Sequence, residues 1–275
     1  VSGGPIWSDR VVGRRVVRLL AAGQSLCVGA SDQVQDGQAV GDVTVVDPAP
    51  NLVSRQRGVL TDDWLPPPVA SEEVFTGSRV ETGPWSAIAA ALAPALVWVI
   101  AQAYGGTGLD PRADYLAEDP TNAGRWHPDA GDLYAQSITA WERAGRKRLD
   151  LVVFIQGELD AGLWQDVEIT AEDAQASYQQ ALIDMAEAYH ATTGAKVMVC
   201  PTSLGQYADQ PAYTAMVQPI HDAQIAACVA RPNILVQGPL VDDIEHMAEG
   251  DAHLKAVAEQ GVRIGTAIAS YLGLS

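Results

Sequence analysis

Positive charge is scarce in this chain. Its 275 residues carry 17 lysines and arginines against 34 aspartates and glutamates, a formal net charge of -17. A surface of that sign repels phosphate backbones and anionic headgroups, which argues against nucleic acid or charged membrane as a partner. The plain reading is a solvated acidic surface. Cysteine is scarce as well: Cys27, Cys200 and Cys228 are too few and too scattered for a disulfide framework or a zinc site, and one bridge would leave an odd thiol. No group of side chains has metal-ligand spacing, so neither a metal nor a cofactor is expected. No secretory leader is visible at Val1, which leaves the compartment open between a secreted protein whose leader is absent and a cytoplasmic one. Internal repeats and low-complexity tracts are missing too.

Long charge-free runs are equally rare. The one from Thr82 to Leu109 has the length to cross a bilayer. Gly83-Pro84 at its start, Pro94 near its middle and Gly105-Gly106 at its end divide it into a helix followed by a strand, so no membrane span is expected.

What the chain does have is short apolar runs rich in β-branched residues, alternating with helical patterns. That alternation is the signature of a parallel sheet covered by helices. Strands are predicted at Val16–Ala22, Leu96–Ala101, Leu149–Ile155, Lys196–Cys200 and Asn233–Val236, with a further one at Val43–Val46 or near Asn51–Val53. The expectation is a single α/β domain over residues 1–275, a three-layer α/β/α sandwich with long loops at 37–80, 110–133 and 160–170. Thr170-Ala171-Glu172-Asp173 reads as a capping box, opening a helix with Tyr178, Leu182, Met185 and Tyr189 on one face and an end at Thr192-Thr193-Gly194. Leu254, Val257, Gly261, Ile264, Ile268 and Tyr271 give the last helix one apolar stripe.

The first of these strands runs straight into Gly23-Gln24-Ser25-Leu26. Ser25 thus stands at the carboxyl end of a buried parallel strand, the edge where such sheets collect their ligands and reactive groups. A serine hydroxyl needs a base to take its proton, a carboxylate to orient that base, and donors aimed at the developing oxyanion. Cys27 stands where the lipase elbow, glycine-x-serine-x-glycine, requires its second glycine, so that motif is not satisfied. Gly105-Gly106-Thr107-Gly108 has the composition of a strand-to-loop turn or of a phosphate cradle, but no lysine comes after it as a P-loop requires.

Taken in order, Gly23-Gln24-Ser25-Leu26, Gly105-Gly106-Thr107 and Gln156-Gly157-Glu158-Leu159-Asp160 resemble three successive blocks of the SGNH hydrolase superfamily. The branch they are most similar to is the sialate O-acetylesterase and carbohydrate acetylesterase group, with its GQS, GGT and QGE-x-D segments. The resemblance implies a flavodoxin-like strand order. It also implies Ser25 as nucleophile, with the oxyanion held by the backbone N–H of Ser25, that of Gly106 or its neighbour Gly105, and the side chain of Gln156. Glu158 and Asp160 resemble the family's support residues, which tie the loops behind the site.

The family's last block is aspartate-x-x-histidine before the final helix, and two segments compete for it. Asp243-Ile244-Glu245-His246 has that spacing, with Asp251 free to start the helix; Asp251-Ala252-His253 sets the acid one residue closer. His246 with Asp243 is preferred, because a helix begun at His246 itself would be about 40 Å long and a start at Asp251 avoids this. His253 with Asp251 stays as the rival. His190 and His221 lie on helical patterns and read as surface or packing residues; His127 in the long loop at the active side is a candidate for touching substrate, and Trp64, Trp126 and Trp164 offer sugar-stacking walls, although a tryptophan in a loop is more often partly packed than a ligand platform. The implied activity is hydrolysis of a small O-acyl ester, acetyl on a carbohydrate or oligosaccharide. An esterase or lipase of lipid or aryl esters and a carbohydrate-binding relative without catalysis remain as alternatives.

Overall fold

The computed structural model describes residues 10–11, 14–24, 27, 52–56, 84–103, 106–115, 123–165, 169–204, 211–244 and 257–274. The strands in chain order are β1 (Arg10–Val11), β2 (Arg14–Gly23), β3 (Leu52–Gln56), β4 (Leu96–Ala103), β5 (Leu151–Ile155), β6 (Lys196–Cys200) and β7 (Leu235–Gln237). The helices are α1 (Trp85–Ala91), α2 (Asp132–Arg143), α3 (Glu158–Gln165), α4 (Ala171–Thr193), α5 (Pro211–Ala230) and α6 (Val257–Leu272). All described strands join one sheet in the order β3-β4-β2-β5-β6-β7, parallel throughout except for β1, which turns back antiparallel on β2. Leaving out the edge strand β3, the order β4-β2-β5-β6-β7 is flavodoxin-like, as expected.

The sheet is apolar on both faces because its strands alternate two buried sets of side chains. Along β2, Leu20 and Ala22 face α2 to α5, packing with Phe154, Trp126, Tyr178 and Leu182. Val17, Leu19 and Ala21 face the opposite layer, where Trp85 and Ile88 of α1 and Ile264 and Ile268 of α6 complete the core. These two clusters are the two halves of a three-layer sandwich. Helices α1 and α6 cross closely: a methyl group on Gly261 would lie 2.4 Å from the carbonyl oxygen of Pro84, so only glycine lets them approach.

Local signals set most boundaries. Thr170 Oγ1 accepts from the Asp173 N–H at 3.1 Å, which starts α4, and Gly194 in the left-handed conformation (φ 74°) ends it. The charge-free stretch divides into α1 and β4 as its breakers indicate, and no described helix is long and apolar enough to cross a membrane. Two expectations need correction. Residues 160–170 are not all loop: Glu158–Gln165 is α3, whose Ala161 and Trp164 are buried against the sheet. The last strand begins at Leu235 rather than Asn233, because the Ile234 N–H turns back to the carbonyl of Arg231 and closes the end of α5. Of the two options for the extra strand, Leu52–Gln56 forms beside β4, while Val43–Val46 lies outside the described residues.

Candidate active site

The pairing register brings the ends of four strands to one level. Gly23 lies opposite Ala103 on one side and Ile155 on the other, and Ile155 lies opposite Cys200. The segments leaving these strands are therefore gathered along one edge: Gln24 after β2, Gly106-Thr107 after β4, Gln156 after β5 and Thr202 after β6. Between β2 and β5 the strand connections diverge, one to each side, and this is where a parallel sheet opens a crevice.

Two glycines make this approach possible. Gly23 has φ 132°, and a Cβ there would fall 2.1 Å from the Ile155 carbonyl oxygen; without one, Gln24 N–H can donate to that oxygen at 2.9 Å. Gly157 has φ 147°, and its Cβ would strike the Thr202 hydroxyl oxygen at 2.2 Å. Gly106, also at positive φ (63°), is exposed at the same edge. Ser25 itself and Gly105 lie outside the described residues. On either side of Ser25 the backbone is anchored: Cys27 N–H donates to the Gln24 carbonyl at 2.9 Å, and Trp85 Nε1 of α1 donates to the Cys27 carbonyl at 2.8 Å.

Beneath this edge lies a buried polar network. Gln24 Nε2 donates to Glu158, and its Oε1 accepts from Leu159 N–H at 3.3 Å. Gln156, wholly buried, directs Nε2 to the Thr107 carbonyl at 3.2 Å and to the Asp160 carboxylate, with Gln24 Oε1 at 3.4 Å. Asp160 also accepts the backbone N–H groups of Leu109 (3.0 Å) and Asp110 (2.8 Å), which fastens the loop after β4 to the first turn of α3. Asp110 in turn accepts from Ser177 of α4, and Trp126 Nε1 donates to Thr107 Oγ1 at 3.0 Å. Burial pushes both Glu158 and Asp160 up to about 7; hydrogen bonds to each carboxylate oppose the shift without cancelling it. Both carboxyls tie loops together from below and reach no surface.

The candidate acids and bases fall elsewhere. Asp243 is exposed, with both oxygens on Arg263 of α6 at 2.6 and 2.9 Å, and this guanidinium holds its carboxyl below the usual range. His246, Asp251 and His253 lie outside the described residues. Of the candidate sugar-stacking walls, Trp126 and Trp164 take the packed alternative, both buried against the sheet; Trp64 lies outside the described residues. His127 faces Asp184 at 3.7 Å, and His190 holds the Ala195 carbonyl at 3.1 Å. No group of metal-binding side chains occurs among the described residues.

Sequence reasoning did not see Thr202, Tyr178 or Gln224 as part of this region. Tyr178 donates to Gln156 Oε1 at 2.7 Å, and Gln224 Nε2 donates to the Gln156 carbonyl at 2.5 Å. A buried phenol and a glutamine among Ile220, Ala223 and Ala227 both require partners, which was the available signal.

No protein-family model matches this chain, and no curated protein matches it in sequence. Solved structures do. A protein from Arabidopsis thaliana superimposes with a TM-score of 0.59 at 17% identity, covering 93% of this chain and 97% of the other. A carbohydrate acetylesterase from Xanthomonas citri gives 0.52 at 14% identity, over 92% of this chain and 55% of that one. The chain has an SGNH hydrolase-like fold. A third structure with this fold, a carbohydrate esterase whose active site is described as having divergent catalytic and non-catalytic binding functions, gives 0.50 at 12% identity over 94% and 69% of the two chains. At such identities the likeness concerns the SGNH hydrolase-like fold and leaves the chemistry to the residues.

Proposed function

We propose that this protein is a serine ester hydrolase acting on small O-acyl esters, with acetyl groups on carbohydrate as the first candidate substrate. The observation that carries the reading is the meeting of Gln24, Thr107 and Gln156 in one hydrogen-bonded group at the strand edge, each from a different block of the SGNH pattern. A coincidental serine at a strand end would not come with that group. The fold of the superimposed esterases supports the same reading.

In this reading Ser25 Oγ attacks the acyl carbonyl while a histidine takes its proton. The tetrahedral oxyanion accepts from the backbone N–H of Ser25 and of Gly106, and from Gln156 Nε2. In the structure Gln156 Nε2 is bonded to the neutral Thr107 carbonyl at 3.2 Å, and a charged oxyanion is the stronger acceptor of the two. The histidine then protonates the departing alcohol. Water, deprotonated by the same histidine, attacks the acyl-enzyme and releases the acid and free Ser25. Glu158 and Asp160 brace the loops without touching substrate.

Asp243 with His246 remains one option for the acid and base. The clasp of Arg263 on Asp243 favours the other, Asp251 with His253, because a carboxylate whose two oxygens are held by a guanidinium is a poorer partner for an imidazole. Release of acid from an acetylated aryl ester tests both levels. Ser25→Ala should abolish it; wild type no faster than Ser25→Ala would mean a carbohydrate-binding protein or no related function. His253→Ala should abolish turnover while Asp243→Asn retains most of it, and the opposite pattern would restore Asp243 with His246. Acetylated sugars against long-chain acyl esters then separate the carbohydrate reading from a lipid one.

A further inference from the structure

The buried network has a direction. At one end the Thr202 backbone N–H donates to Gln224 Oε1 at 2.8 Å. A peptide N–H can only donate, so Gln224 must turn its Nε2 inward, where it reaches the Gln156 carbonyl at 2.5 Å and the Tyr178 hydroxyl at 3.2 Å. With its oxygen accepting from Gln224, Tyr178 has one hydrogen to give, and Gln156 Oε1 lies 2.7 Å away. Gln156 is thereby obliged to send Nε2 the other way, to the Thr107 carbonyl and Asp160. The Thr107 carbonyl can only accept, so both ends of this chain are backbone groups of fixed sense.

We propose that Tyr178 is a positioning residue: its hydroxyl fixes which end of the Gln156 side-chain amide faces the loop after β4 and the oxyanion site. The inference deepens the hydrolase reading and rests on it. A buried phenol resists ionisation, so the donor persists at all working pH values. Reversing the amide would present Oε1, an acceptor, to a developing negative charge. Free glutamine amides have no such preference; here the Tyr178 donor from α4, oriented by Gln224 of α5, adds to the pull of the Thr107 carbonyl and Asp160 on Nε2.

Tyr178→Phe removes the hydroxyl and keeps the ring that packs with Leu182 and Phe154. The expected result on an acetylated aryl ester is a kcat lowered about tenfold with KM near wild type, and a melting temperature lower by a few degrees because the buried Gln156 Oε1 loses its donor; loss of a whole oxyanion donor costs about a hundredfold or more. In a Gln156→Ala background the same substitution should have no further effect. A fall of equal size in both backgrounds, or a wild-type kcat in Tyr178→Phe, would overturn the proposal. Side-chain amide exchange of Gln156 by NMR is the readout independent of turnover: Tyr178→Phe should speed it at least tenfold, and unchanged exchange would also overturn it. Wild type no faster than Ser25→Ala would remove the hydrolase reading instead, and the exchange measurement would still decide the clamp.

Discussion

Burial of Glu158 and Asp160 should make this protein lose stability as pH rises toward neutrality. In an unfolded chain their carboxyls titrate near 4.5 and 3.8; folded, burial pushes each up to about 7. Below the unfolded values both states keep the protons and the stabilising contribution is complete. Between the unfolded and folded values the unfolded chain has released protons that the folded one retains, so stability falls, and above about 7 the loss is complete. For Glu158 the full shift corresponds to about 3 kcal/mol, of which about 2 kcal/mol falls between about pH 5 and pH 7.5. Glu158→Gln removes this titration while keeping an oxygen for the Gln24 amide. Urea denaturation of both proteins at the two pH values isolates the effect, since every other titrating group is shared. The wild type should lose about 2 kcal/mol more than the variant on going to the higher pH. An equal pH dependence, or a steeper fall in the variant, would show that Glu158 is ionised in the folded state over this whole range and would refute the argument from burial.

Other expectations concern the backbone of the same region. Gly157→Ala places a Cβ 2.2 Å from the Thr202 hydroxyl at φ 147°. It should destabilise the fold by about 2–5 kcal/mol, combining backbone strain with overpacking; a loss below about 1 kcal/mol by urea denaturation would mean that α3 can shift to absorb the methyl group. Thr170→Ala removes the acceptor that starts α4 and should cost about 1 kcal/mol, with Thr170→Ser restoring most of it. Equal stability of all three forms would assign the start of α4 to packing alone.

Much of the sheet was legible in the sequence because its strands are buried on both faces. Continuous apolar runs such as Leu151–Ile155 and residues 197–200 are required by that burial, and the interrupting glycines and prolines mark where they stop. The capping box at Thr170 and the glycine after Thr193 were equally local, since each is satisfied within a few residues of itself. Helix α3 was not legible: residues 160–170 read as a long loop, and the burial of Ala161 and Trp164 against other elements is what favours a helix there. The choice between packing and ligand contact for Trp126 and Trp164 was open for a related reason, since the side of the chain that faces the core is decided by distant partners.

Ser25, Gly106, Gln156, Glu158 and Asp160 stood out in the sequence through their resemblance to successive SGNH blocks, and of these the structure bonds Gln156 to Asp160. What tertiary structure alone decided is how that set is held. Tyr178 and Gln224 lie far from Gln156 in sequence and look like ordinary helix residues, yet the register of β2, β4, β5 and β6 and the packing of α4 and α5 bring them onto its amide. The pairing of Asp243 with Arg263 was likewise invisible, because it depends on α6 packing beside α1 on the sheet face. Residue types announce which chemistry is available; only packing determines which hydrogen of which amide faces it.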